Sequence, residues 1–289
     1  MPELPEVETV ARGLRDLAIH KKIVKVSILE SKQWRPASRQ WRAGIIGASI
    51  SGIRRRAKWL IIDLSSDWSM IVHLKMTGQI IFQAKNKPTF LGGHTMGKSQ
   101  EEFPNSHTRV WFGLASGDAL FFQDMRKFGY IDALPTAQVE DYFLTKKLGP
   151  EPMEPAFTLK YFQSVLKRRA NTTIKAVLLD QSALAGLGNI YADDACWLAK
   201  VKPTRRVKTL SMNEQAALRK AARQVLLEAI KLGGTSFSDY YHVDGKTGQY
   251  WAKRKTYGRT GEQCRRCDGI IVKTKTAGRG THYCPKCQR

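Results

Sequence analysis

Four of the five cysteines in this 289-residue chain fall as two Cys-x2-Cys pairs, Cys264/Cys267 and Cys284/Cys287, with sixteen residues between the pairs. Two turns that each present a pair of thiolates at this separation match the spacing of a zinc ribbon. One structural Zn2+ ion is therefore expected. Two disulfides are the alternative, but the N-terminus lacks the basic and apolar runs of a secretion signal, and reducing conditions favour the metal. Cys196 stands apart in the helical run Ile190–Leu198 and reads as a buried apolar filler.

A second chemistry sits at the opening, Met1-Pro-Glu-Leu-Pro-Glu6. A small second residue permits removal of Met1, which leaves the secondary amine of Pro2 at the start of the chain. An α-amino group titrates near ~8, so part of it is neutral at pH 7. A neutral amine attacks electrophilic carbon and forms Schiff bases. The positive end of a helix and nearby basic residues favour that neutral form, and Glu3 and Glu6 are close enough to move protons. The same residues also make a plain helix start, and on physical grounds alone that is the simpler reading.

The charge balance narrows the partner. Lys and Arg number 48 against 25 Asp and Glu, a net of +23, and residues 201–289 alone hold 20 basic and 6 acidic residues. An excess of this size repels itself unless a polyanion neutralises it, and nucleic acid is the default polyanion. A solvated basic surface, ribosome binding and acidic lipid are the competing readings. Hydrophobic residues make up 42% of the chain, which excludes wholesale disorder. No apolar run reaches the ~18 residues of a spanning helix. A soluble, monomeric, cytoplasmic or nucleoid-associated protein is expected.

The elements that must position these groups can be read from periodicity. Val7, Val10, Ala11, Leu14 and Leu17 share one helical face, with Pro5 in the first turn. Strand-like runs follow at Ile23–Leu29, Ile45–Ile53, Trp59–Leu64, Met70–Leu74, Gln79–Gln83, Arg109–Leu114 and Ala119–Gln123, separated by turn residues. Residues 84–108 are polar and aperiodic and read as a long mobile surface loop. Helical runs then dominate at Leu159–Arg168, Thr172–Asp180, Asn189–Ala199 and Ser211–Leu232, the last opening with Ser211-x-x-Glu214 and ending at Gly233-Gly234. The expected architecture is α+β. It has an N-terminal β-sandwich domain over 1–135, a helical domain over 136–250 and a zinc hairpin over 251–289.

Block by block, the chain resembles the bacterial formamidopyrimidine-DNA glycosylases. The blocks are Met1–Glu8, Arg54-Arg-Arg-Ala-Lys-Trp-Leu60, His73-Leu-Lys-Met-Thr-Gly78, Asp124-Met-Arg-Lys-Phe-Gly129, Leu148-Gly-Pro-Glu-Pro152, Gly186-Leu-Gly-Asn-Ile-Tyr-Ala-Asp193, Tyr257–Gly261 and Arg279–Gln288. They occur in the family's order over nearly the whole length. The resemblance implies a β-sandwich with flanking helices, a helix-two-turn-helix domain and a zinc-ribbon hairpin. It implies a base-excision repair enzyme for damaged double-stranded DNA, a glycosylase with abasic-site lyase activity on 8-oxoguanine and formamidopyrimidines. Pro2 would attack C1′ and expel the base, and β,δ-elimination would follow. Glu3 would be the acid/base partner, Glu6 a supporting carboxylate and Lys58 the lysine at the lesion phosphate; Arg279 completes the catalytic group.

Extruding a base leaves a hole in the duplex that side chains can fill. Met76, Arg126 and Phe128 match the family's void-filling residues, although core packing is the commoner fate of Met and Phe. Lys175, Asn189, Tyr191 and His107 match further DNA contacts. Gly186-Leu-Gly-Asn189 precedes a helix, which suits phosphate through free backbone N–H groups; Asn189 could equally be a simple N-cap. Arg279, between two glycines at a hairpin tip, can fork onto a phosphate, and Lys253–Lys255 and Arg265-Arg266 would add general attraction. The stretch Gly234–Tyr241 matches the family's lesion-capping loop. Lys75, Met125 and Lys127 depart from the family pattern, and residues 84–108 form a longer stretch than usual. Two alternatives stay open: an endonuclease VIII-like enzyme for oxidised pyrimidines, against which Leu4 speaks, and an inactive zinc-ribbon DNA-binding protein.

Overall fold

The computed structural model describes residues 1–85, 90–93, 102–235 and 248–289. The first helix, α1 (Leu4–Ala18), forms because Val7, Val10, Ala11, Leu14 and Ala18 fall on one face, and all are wholly buried. Pro5 is its second residue, where a missing N–H costs no intrahelical bond. Strands β1 (Ile23–Ile28) and β2 (Trp34–Pro36), the short helix α2 (Trp41–Ile45), and strands β3 (Ile50–Arg56), β4 (Trp59–Leu64), β5 (Trp68–His73) and β6 (Gly78–Gln83) follow. After them come β7 (Phe90–Gly93), β8 (Thr108–Leu114), β9 (Ala119–Asp124), β10 (Tyr130–Pro135) and α3 (Val139–Thr145).

These strands make two five-stranded sheets, in the orders β1-β8-β9-β6-β7 and β2-β10-β5-β4-β3. Every pairing is antiparallel except β2 with β10. One apolar cluster joins the inner faces, with Ile23, Val110, Phe122, Leu60 and Ile131 all at 0% exposure. That is the expected sandwich, and α1 packs against β3 and β4.

Three local expectations are corrected. The run Ile45–Ile53 is not one strand: α2 ends at Ile45, Gly47 turns the chain at φ +92°, and β3 begins only at Ile50. The stretch 84–108 contains a strand, since β7 pairs with the edge of β6 through main-chain bonds that polar flanking residues do not advertise. Its residues 86–89 and 94–101, on which the expectation of mobility rested, lie outside the described residues. Strands β2 and β10 went unforeseen because one is three residues long and the other carries Asp132 and ends at Pro135.

Helices α4 (Leu159–Arg168), α5 (Ile174–Leu179), α6 (Asn189–Leu198) and α7 (Met212–Lys231) follow, then α8 (Tyr250–Lys253) and the hairpin of β11 (Val272–Thr276) with β12 (Arg279–Tyr283). Thr158 and Thr173 cap α4 and α5 by accepting N–H bonds from Tyr161 and Ala176. Ser211 and Glu214 form both arms of the capping box ahead of α7. The chain divides into two compact units, Met1–Thr145 with Leu232–Trp251, and Lys146–Lys231 with Ala252–Arg289. Among the described residues no helix is long and apolar enough to cross a membrane.

Candidate functional site

In the first unit the chain start is built into α1. Met1 is 49% exposed while Pro2 is buried directly behind it. Glu3 is the N-cap residue, and both arms of a capping box are present: Glu3 accepts from the N–H of Glu6, and Glu6 Oε2 accepts from the N–H of Glu3 at 2.9 Å. The other oxygen of Glu6 accepts the N–H and Oγ1–H of Thr235 at 2.8 and 2.9 Å. Gly234 beside it sits at φ +77°, and a Cβ there would come within 2.9 Å of Glu6 Oε1. Both carboxylates are buried, at 3% and 4% exposure. They are therefore oriented by the backbone rather than left to search rotamers in solvent.

Lys58 is the second residue of the two-residue turn between β3 and β4, after Ala57 at φ +50°. It is 6% exposed. Arg55 fixes this turn by donating to Ala57 O at 3.1 Å while pairing with Glu8 of α1 at 3.0 Å. Burial alone would raise the Glu8 carboxyl, but Arg55 and Arg12 hold it below its ordinary value. Pro2, Glu3 and Glu6 thus share one helix start, and Lys58 sits on the hairpin against which that helix packs.

The three void-filling candidates lie on two turns. Met76 is half-buried between β5 and β6, in a turn closed by the Gly78 N–H to Leu74 O bond at 2.9 Å. A Cβ on Gly78 would come within 2.3 Å of that oxygen, so glycine is required there. Lys75 adopts φ +52°, the left-handed conformation that a glycine takes more easily, and its N–H donates to His73 Nδ1 at 3.0 Å. Arg126 and Phe128 are both exposed on the turn after β9, with the guanidinium 4.9 Å from the centre of the Phe128 ring. Neither belongs to the core. The departure at Lys127 has a local partner: Lys127 Nζ pairs with Glu30 at 2.7 Å and its carbonyl accepts from Gln33 Nε2 at 2.7 Å. His107, half-buried, lies just before β8.

The second unit places its candidates differently from the expectation of open phosphate contacts. Lys175 is wholly buried; its Nζ lies 2.6 Å from Asp193 Oδ1 and donates to Gly280 O at 2.9 Å. Asn189 Nδ2 donates to the same carbonyl at 3.1 Å. Tyr191 is at 0% exposure. Gly188, not Asn189, is the N-cap of α6, and the Gly186 N–H is taken by Gln181 Oε1 at 3.0 Å rather than left free. In this arrangement Lys175 and Asn189 hold the hairpin by its backbone, one residue from Arg279. Arg279 itself is exposed and opens β12 after the turn Ala277-Gly278, whose residues sit at φ +52° and +70° as a tight hairpin turn demands. Of the outlying basic residues, Lys255 pairs with Glu228, and Arg265 donates to Ala252 O.

The four ribbon cysteines are unbridged, and their sulfurs all lie within 4.8 Å of one another. Cys264 and Cys287 are 3.7 Å apart, Cys267 and Cys284 3.6 Å. Tetrahedral zinc with Zn–S bonds of about 2.3 Å requires sulfurs roughly 3.8 Å apart, so the cluster fits one ion. Outer partners are in place: Trp197 Nε1–H donates to Cys264 Sγ at 3.2 Å and Arg266 Nη2 to Cys287 Sγ at 3.0 Å. Cys196 is buried and its thiol is pushed up by that burial, as a filler should be.

Sequence reasoning missed the residues that hold these groups. Asp193 accepts the His282 N–H at 2.8 Å, and Asp194 accepts the N–H groups of Lys255 and Thr256 at 2.9 Å each. Both carboxylates are wholly buried. Two successive acids in an otherwise apolar helical run of a strongly basic chain were the available signal.

Comparison with known proteins matches residues 1–131 to the formamidopyrimidine-DNA glycosylase N-terminal domain, 148–240 to the H2TH domain of the same enzymes and 261–289 to the zinc finger found in FPG and IleRS. The formamidopyrimidine-DNA glycosylase of Streptococcus mutans is 39% identical over 100% of both chains. That of Pelotomaculum thermopropionicum is 40% identical over 100% of this chain and 99% of its own. A crystal structure of the Lactococcus lactis Fpg with abasic-site DNA superposes with a TM-score of 0.87 at 37% identity, covering 100% of each chain. A variant of that protein with Fapy-dG DNA gives 0.87 at 38%, again over 100% of each. The matched domains, their order and the zinc-binding cysteines agree, and the chain belongs to the formamidopyrimidine-DNA glycosylase family.

Proposed function

We propose that this chain is a bifunctional base-excision enzyme that removes oxidised purines, 8-oxoguanine and formamidopyrimidines, from duplex DNA and then cleaves the abasic site. The relatives named above carry the glycosylase name, and solved neighbours hold abasic-site and Fapy-dG DNA. The observation that carries the reading is the buried start of α1, where Pro2 precedes two carboxylates held by a reciprocal capping box.

Once Met1 is removed, the Pro2 nitrogen attacks C1′ of the damaged nucleotide and the base leaves with a proton. The sugar ring then opens as the C1′–O4′ bond breaks and O4′ takes a proton, and the resulting iminium acidifies C2′. Loss of that proton expels the 3′ phosphate, and a second elimination expels the 5′ phosphate. Glu3 is the acid/base group for these transfers. Glu6 keeps the helix start in register through Thr235, and Lys58 supplies positive charge near a lesion phosphate. Met76, Arg126 and Phe128 fill the space of the extruded nucleotide, and Arg279 grips backbone phosphate. Zinc bound by Cys264, Cys267, Cys284 and Cys287 has a structural part, fixing the hairpin that carries Arg279. A cytoplasmic, nucleoid-associated location goes with this activity.

Borohydride reduction tests the reading. Protein lacking Met1 should be trapped covalently on abasic and 8-oxoguanine duplexes, whereas protein made with Met1 retained should trap none. Equal trapping by both forms would sink the Pro2 mechanism.

A further inference from the structure

Asp124, the last residue of β9, is wholly buried, and its hydrogen-bonding groups reach three segments of the chain. Its N–H donates to His107 O at 3.0 Å. Its carbonyl accepts from Arg109 Nε at 2.8 Å, and Arg109 also donates to Ser106 O at 3.1 Å. Carboxylate oxygen Oδ1 accepts the Thr77 hydroxyl and the Arg126 N–H, the latter at 3.2 Å. The other oxygen accepts the Gly129 N–H at 2.6 Å. Thr77 Oγ1 in turn accepts the Arg126 N–H at 3.1 Å. Thr77 follows Met76 directly, and Arg126 and Gly129 bracket Phe128. One residue therefore ties together the turns that carry Met76, Arg126, Phe128 and His107.

We propose that Asp124 is a positioning residue that makes these turns a single insertion unit, with Thr77 as the coupling between its two halves. The proposal rests on the reading that Met76, Arg126 and Phe128 occupy the place of an extruded nucleotide. A flipped base leaves one cavity, and side chains arriving from two independent turns would have to be ordered separately. A shared buried carboxylate removes that separate ordering, because neither turn moves without breaking a charge-assisted bond. The exposed Arg126 and Phe128 side chains can then stay solvated in the free protein while their backbone is already fixed.

The test separates insertion from the covalent step. Extrusion from a duplex needs the unit; an abasic site in a single strand has no stack to fill. Thr77→Val removes the coupling hydroxyl and keeps the shape, Thr77→Ser restores the hydroxyl, and Asp124→Asn weakens the hub. With 2-aminopurine beside 8-oxoguanine opposite cytosine, Thr77→Val should slow both the fluorescence rise and duplex excision about tenfold. Borohydride trapping on a single-stranded abasic oligonucleotide should stay at the unsubstituted level, and Thr77→Ser should recover the duplex rate. Asp124→Asn should show the same split with a larger duplex loss. Unchanged extrusion in Thr77→Val overturns the proposal, as does a Thr77→Ser protein as slow as Thr77→Val, or a proportional loss of single-strand trapping. If the unsubstituted protein traps on neither substrate, the underlying glycosylase reading fails instead.

Discussion

The two units hold their functional atoms by different means. In the first, the helix start, the Lys58 turn and the turns that carry Met76 and Arg126 stand on a double-sheet core whose apolar cluster runs from Val7 to Ala133. Hydrogen bonds there refine positions that packing has already set. The zinc hairpin of the second unit has a small apolar cluster, Trp197, Cys264, Ile271 and Cys284, half of which is metal ligand. Its backbone is held by thiolates and by the buried Lys175–Asp193–His282 arrangement. An extended core tolerates the loss of one polar contact; a hairpin fixed by charge and metal does not.

Cys284→Ser should give the largest effect. Structural zinc sites are worth on the order of 10 kcal/mol, so the substitution should release zinc, strip hydrogen-exchange protection from Val272–Tyr283 and weaken DNA binding. Protection in β4 and β5 should persist; its loss would erase the contrast between the units. Asp193→Asn comes next. It strands the Lys175 charge with no exposure, and should cost about 3–5 kcal/mol, read as loss of protection in α6 and the hairpin.

A polar change in the sandwich should matter less. Asp118 is raised by burial, but Lys21, the Lys85 N–H and Ser116 together hold it down from the ordinary 3.8 to about 2. Because the folded value lies below the ordinary one, this stabilisation is complete above 3.8 and fades as the pH falls through about 2. Asp118→Asn should therefore cost roughly 2 kcal/mol at pH 7 in a denaturant melt, with the deficit shrinking in acid. A cost as large as that of Asp193→Asn would break the comparison. Smallest is Arg279→Ala, which should leave stability alone and flatten the salt dependence of DNA binding by about one phosphate. No change in slope would remove Arg279 from the DNA contacts.

Legibility in the sequence followed the range of the interaction. The cysteine pairs, the Ser211–Glu214 capping box and the apolar face of α1 are encoded within a few residues of each other, and all stand in the structure as read. Strand β10 was missed because an internal Asp and a terminal Pro mask a run whose role is set by its neighbours β2 and β5. Lys175 carries an ordinary basic signature; only the fold reveals that its charge is turned inward onto Asp193. Most of the Gly234–Tyr241 stretch, residues 236–241, lies outside the described residues. Thr235, the one threonine there that meets Glu6, had no local signal because its partner is 229 residues away.

That distance sets a timetable for the newborn protein. Ribosomes add about 5–20 residues per second, so Glu6 waits roughly 10–50 seconds before Thr235 has even been made. Throughout this interval the first unit lacks its returning segment, Leu232–Trp251. Until Thr235 arrives, the helix start has its own capping box between Glu3 and Glu6 but not the tie that later reaches it from residue 235.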